Sequence, residues 1–212
     1  MSGIITLSKE GNSRIEIKQS VFIGRAVPVK TQEEANAFVA EQRALYPDAR
    51  HTVYVWKISG EMNMQKYSDD GEPQGTAALP MLSILEHSGL TDTACCVTRY
   101  FGGILLGKGG LVRAYTECAK LALSDGAPVR MTEGSLTGIR VSYQMADKVL
   151  YELKNQPCEI KDTSYLQDVL FLIAADSDNT ERITERITDL TGGAAVFEDN
   201  GSIMIRGDSV LL

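Results

Sequence analysis

The run Ser124-Asp125-Gly126-Ala127-Pro128 ends the most regular helical pattern in the chain with a glycine stop and then a proline. That break divides the 212 residues into two stretches. Roughly 70 to 130 residues can bury a workable core without metal or disulfide staples, so each stretch can fold as a domain of its own. The expected boundary lies near residue 130, giving domains over 1–130 and 131–212.

With 43% apolar and 23% charged residues, 19 glycines and 6 prolines, the chain is neither collagenous, low in complexity nor a coiled coil. Its longest apolar run, residues 169–175, falls far short of the roughly 18–20 residues that a bilayer-spanning helix needs. No membrane partner is expected. Residues 1–7 lack the basic start and apolar stretch of a secretory signal, and the four cysteines have no framework spacing. The expected localisation is the reducing cytoplasm. The net charge of −7 is unevenly placed: residues 1–130 hold 14 basic and 14 acidic side chains, residues 131–212 hold 7 and 14. All the excess acid lies in the second part, so a basic surface on the first part is not excluded.

The first part reads as mixed α/β. Residues 14–17 and 21–27 have the pattern of paired strands, and 31–45 that of a helix with a capping box between Thr31 and Glu34. Residues 52–58 and 93–100 are strands, 77–87 a helix with Pro80 in its first turn, and 109–124 a helix with Leu111, Ala114, Tyr115, Cys118, Leu121 and Ala122 on one face. Residues 67–75 are loop by their density of turn formers. The second part reads strand, helix, strand, strand, helix, strand, with Asp178 and Glu181 as the capping box of its second helix. That order is the split βαβ pattern of ferredoxin-like domains. The whole is an α+β protein.

The segment most informative about chemistry runs from Arg99 and Tyr100 through Gly102, Gly103, Lys108, Gly109 and Gly110, a glycine-rich loop between a buried strand and a helix. Such a loop aims backbone amides at one point, and the helix adds the positive end of its dipole. With Arg99, Lys108 and Arg113 crowded around it, an anion such as a phosphate is favoured; otherwise the glycines serve tight turns and close packing alone. Gly102 to Lys108 fits P-loop spacing, but Gly109 stands where the magnesium-binding hydroxyl belongs, which argues against an NTPase. No dinucleotide fingerprint or other cofactor motif is present. Asp69, Asp70 and Glu72 are either a hard-cation site, a turn, or partners for the basic groups of the glycine loop. His51, at a strand start, is the better of two histidines as a neutral-pH base or a structural imidazole. Cys95 and Cys96 point to opposite faces of a strand and cannot chelate together. No metal site and no complete catalytic set is expected.

Two stretches, SDDGEPQGTAALP and VTRYFGGILLGKGGLVRAY, together with Ser20-Val21-Phe22-Ile23 and Ala49-Arg50-His51, resemble the IMPACT family, in particular its bacterial YigZ-like branch. The resemblance spans most of residues 13–125, and the tail resembles the smaller C-terminal domain of the bacterial members. It implies an N-terminal domain of the left-handed βαβ type found in a ribosomal protein and in elongation factor G. It also implies a ferredoxin-like second domain similar to the last domain of that factor. The chain departs from the family at Ala78-Leu79, where Gly-Arg is frequent.

The eukaryotic members are regulators of translation that bind a partner of a stress-responsive kinase. The leading expectation is therefore a translation-associated protein that binds RNA or a ribosome-related particle through the basic glycine-rich loop. A protein-interaction module using the acidic second domain, and an enzyme acting on a small anionic ligand, are the alternatives.

Overall fold

The computed structural model describes residues 3–60 and 63–211. Residues 4–130 and 208–211 form one compact unit; Gly3 and residues 131–207 form the other. The segment after Gly207 thus returns to the first unit, where Val210 N–H donates to the Pro128 carbonyl at 2.8 Å.

The first unit contains β1 (Ile4–Leu7), β2 (Gly11–Ile17), β3 (Ser20–Pro28), α1 (Gln32–Leu45), β4 (His51–Ile58), β5 (Met64–Ser68), α2 (Ala78–His87), β6 (Thr93–Tyr100) and α3 (Gly107–Asp125). Five of its strands form a sheet in the order β2-β3-β6-β4-β5, each neighbouring pair antiparallel. Strand β6 is central and buried from Thr93 to Arg99, and its side chains alternate between two cores. Cys95 and Val97 join the cluster built with α2 and α3, while Ala94 and Cys96 join Phe38, Val39 and Trp56 under α1. The sheet is therefore covered on both faces, with α1 on one and α2 and α3 on the other. Phe22 and Tyr115, both fully buried, meet edge-to-face at 5.2 Å. Each large side chain so buried contributes about 1.5–3 kcal/mol.

Two strands escape the sequence pattern. β5 lies on the sheet edge, is largely exposed and shows no apolar alternation, so residues 67 and 68 end a strand where only loop was expected. β1 is short, and its Ile5 forms a parallel bridge to Leu90. The Lys18-Gln19 link between β2 and β3 is a two-residue turn with φ of 47° and 64°, the primed-turn geometry that matches strand twist, achieved without glycine.

The second unit takes in most of β7 (Pro128–Val141), then α4 (Tyr143–Lys154), β8 (Glu159–Tyr165), β9 (Val169–Ala175), α5 (Ser177–Thr191) and β10 (Val196–Ser209). β10 pairs with β7, β7 with β9 and β9 with β8, which is the strand order of a ferredoxin-like sheet. Its core joins Ile139, Phe171 and Ile173 of the sheet to Val149, Leu153, Ile183 and Ile187 of the helices. The expected cap of α5 is corrected by two residues. Asp176, extended at φ −65° and ψ 164°, accepts from Asn179 N–H at 2.8 Å, while Asp178 already lies in the first helical turn. The chain is α+β in both units.

Candidate functional site

The acidic loop after β5 is a set of staples. One carboxylate oxygen of Asp69 accepts from Gly75 N–H (2.8 Å), the other from Ala77 (3.1 Å) and Ala78 (2.8 Å). Asp69 thereby caps α2, whose own N-cap residue is the side-chain-poor Ala77. Asp70, at φ 47°, takes Arg43 Nη2 on one oxygen and Thr52 N–H on the other, both at 2.7 Å. These acids serve protein partners, and among the described residues no group of three His, Cys, Asp or Glu is arranged to hold a metal ion.

Glu72 does something different. Its side chain is 3% exposed, and Oε1 accepts from Arg99 Nη1 at 2.7 Å and from the Tyr115 hydroxyl at 2.8 Å. Burial and the adjacent carboxylate push the Tyr115 phenol far above its ordinary value, so it remains a donor. Arg99 lies between the rings of Phe22 and Phe101, 5.4 Å from each centroid, with Ser20 Oγ at 3.4 Å. Arg99, one of the basic groups expected around the glycine loop, is buried by its strand position, and Glu72 balances its charge, in line with the reading of the acidic loop as a partner for those basic groups.

The glycine loop enters the same place. Gly102 N–H donates to Ser20 Oγ at 3.2 Å, and a Cβ on Gly102 would fall 2.1 Å from the Gln19 carbonyl carbon, so only glycine fits against the β2–β3 turn. On either side of it Phe101 and Ile104 are about half-exposed, and Leu105 is 83% exposed. Helix α3 starts at Gly107, two residues before the expected start; it has no side-chain cap and no acid in its first turn, which leaves its first amides open.

These pieces enclose a cleft of about 390 Å³. Pro73, Phe101, Leu106 and Leu111 supply apolar wall, and Arg50, His51, Glu72 and Lys108 supply polar groups. His51 Nδ1 lies 2.7 Å from the Asp70 carbonyl oxygen, which can only accept, so Nδ1 carries a proton and donates it to that oxygen. Arg50 and Lys108 are exposed and make no ion pair among the described residues.

Of the residues singled out from sequence, His51, Glu72, Arg99 and Lys108 line one cleft, whereas Asp69 and Asp70 support its wall. Gly103 takes φ 82°, and Gly109 and Gly110 lie in the first turn of α3. Arg113 is exposed, with Nη1 beside Gly109, and Tyr100 packs edge-to-face on Tyr46. Arg50, Phe101 and Tyr115 were missed as site residues. Arg50 adjoins His51 and Phe101 lies inside the glycine run, while Tyr115 is signalled by a hydroxyl on an apolar helix face, which needs a buried acceptor. A larger and more open hollow of about 740 Å³ between α2 and α3 contains no buried carboxylate.

A two-unit α+β chain with a basic, part-apolar cleft at the glycine-loop end of its first sheet is the class these features define. Residues 18–123 match the Impact N-terminal domain, and residues 139–194 match a domain of unknown function, DUF1949. The chain belongs to the IMPACT family. It is 34% identical over 194 residues to IMPACT family member YvyE of Bacillus subtilis (strain 168), covering 92% of this chain and 89% of that one. It is 35% identical over 181 residues to IMPACT family member YigZ of Escherichia coli (strain K12), covering 84% and 89%. A crystal structure of a hypothetical protein aligns with a TM-score of 0.60 at 31% identity, over 95% of this chain and 98% of the other. Among the described residues no helix is long and apolar enough to cross a membrane.

Proposed function

We propose that this protein acts in the regulation of translation and binds single-stranded RNA in the cleft beside the glycine loop. The observation that carries the reading is the meeting of three features in one 390 Å³ space: the Phe101 ring, the exposed cations Arg50 and Lys108, and the open start of α3. Single strands are bound by aromatic faces on which bases stack and by cations along the backbone. Phe101 is 43% exposed and backed by the Arg99 guanidinium, so its ring is held as a platform. Phosphates suit Lys108, Arg50 and the α3 amides, and Arg113 extends the basic surface by one turn. Membership of a family whose eukaryotic members regulate translation supports the setting.

Fluorescence anisotropy with a labelled single-stranded RNA of about ten nucleotides tests this, since single-strand sites span about 4–16. Phe101→Ala removes one stack and weakens binding by about 1–3 kcal/mol. Equal affinity of a folded variant and the parent refutes the platform. A second reading, a protein partner docking on the loop tip, is favoured by Leu105, which is 83% exposed.

A further inference from the structure

The cleft has a polar feature that phosphate binding does not use. Both protein donors to Glu72 reach Oε1, and among the described residues none reaches Oε2. The side chain is only 3% exposed, yet Oε2 is not among the sealed atoms without a partner, so this oxygen keeps the little exposure the side chain has, and Glu72 lines the cleft. A carboxylate oxygen is an acceptor only, and one held this deep calls for a donor from whatever enters. The cleft thus pairs a fixed acceptor with an aromatic face and with cations, and its 390 Å³ falls within the range of small-molecule sites, about 300–1,000 Å³.

We propose that the base taken into this cleft is guanine, read by Glu72 Oε2 with its ring against Phe101. The inference rests on the RNA reading and adds base identity to it. Guanine alone carries two adjacent donors, N1–H and the 2-amino group, on its pairing edge. Adenine and cytosine each set a ring-nitrogen acceptor beside their amine, and uracil flanks its single N–H with two carbonyls. One oxygen can accept from both guanine donors at once, whereas each of the other three bases offers it a single donor with an acceptor beside it. Guanine's remaining acceptors, O6 and N7, suit Arg or Lys, and Arg50 and Lys108 line the same cleft. Arg99 and Tyr115 hold Oε1, so the free oxygen is positioned before the base arrives and little ordering is needed on binding.

The test uses the full chain and a set of nonamer RNAs of uridine whose central base is guanine, hypoxanthine (inosine), adenine, cytosine or uracil, read by anisotropy. The guanine oligomer binds about tenfold or more tightly than the adenine, cytosine and uracil ones, as expected for a well-made base contact. Inosine, which lacks only the 2-amino donor, falls between. In Glu72→Gln the guanine-to-uracil affinity ratio collapses toward one; should that variant fail to fold, the inosine series on the parent decides alone. Equal affinity for all five oligomers, or an undiminished guanine preference in a folded Glu72→Gln, overturns the guanine assignment and leaves the RNA reading standing. No binding of any oligomer overturns both.

Discussion

Replacing Glu72 by methionine would strand the Arg99 guanidinium in the floor of the cleft. Arg99 is 5% exposed, and among the described residues its Nε has no partner and the only other acceptor bonded to its Nη atoms is Ser20 Oγ at 3.4 Å. Breaking one partner of a buried pair costs about 3–5 kcal/mol, and the Tyr115 hydroxyl loses its acceptor as well, adding about 1 kcal/mol or more. Urea unfolding followed by Trp56, the single tryptophan and 2% exposed in the core of the first unit, reads this loss directly. For a urea dependence of roughly 2 kcal/mol per molar, the midpoint drops by about 2–3 M. Arg99→Met on top of Glu72→Met removes the stranded charge and recovers most of the loss, because two desolvated charges are replaced by packed apolar chains. The coupling between the two substitutions is then about 2 kcal/mol or more. A Glu72→Met loss below about 1 kcal/mol, or a double variant whose loss equals that of both singles added, refutes the buried pair.

Gly102→Ala forces a methyl to within 2.1 Å of the Gln19 backbone, and overpacking of this kind costs about 1–3 kcal/mol; an unchanged thermal midpoint would contradict the close approach. At pH 8 an alkylating reagent labels the half-buried Cys158 first, because burial pushes all four thiols up, Cys118 to about 11 and Cys95 and Cys96 further still. Mass spectrometry showing Cys95 labelled first in the folded protein would be inconsistent with its place in the sheet. The Arg25 hydrogen bond holds the Glu10 carboxyl below its ordinary 4.5, so its contribution is present above that pH and is lost as pH falls through the lower folded value. With Glu10 44% exposed that contribution is a few tenths of a kcal/mol, and the stability gap between parent and Glu10→Gln should close below about pH 4 rather than widen.

What could be read from the chain followed the strength of local patterning. Strand β6 and helix α1 show clear periodicity and clear stops, and their bounds match expectation within one or two residues. Edge strand β5 is exposed along nearly its whole length and carries no apolar alternation, so nothing in its sequence distinguishes it from the loop that follows. The site was legible as two unusual loops and a histidine, because turn formers and cations stand out in sequence. The division of labour among the acids was not. Asp69, Asp70 and Glu72 are chemically alike along the chain, and only tertiary contacts make the first a helix cap, the second a tether for Arg43, His51 and Thr52, and the third a buried partner of Arg99. For Arg99 the sequence left two roles open for the same reason, since a cation beside a glycine loop looks the same whether it faces a ligand or a buried carboxylate.

The salt dependence of single-stranded RNA binding tests the central claim most directly. Affinity is measured from low to moderate salt for the parent and for Arg50→Ala with Lys108→Ala, two exposed positions whose replacement leaves stability within about 0.5 kcal/mol. The slope of log affinity against log salt should shallow by about 0.7 for each phosphate contact removed, with affinity falling alongside it. Unchanged affinity and slope in a folded double variant would contradict the assignment of RNA to this cleft.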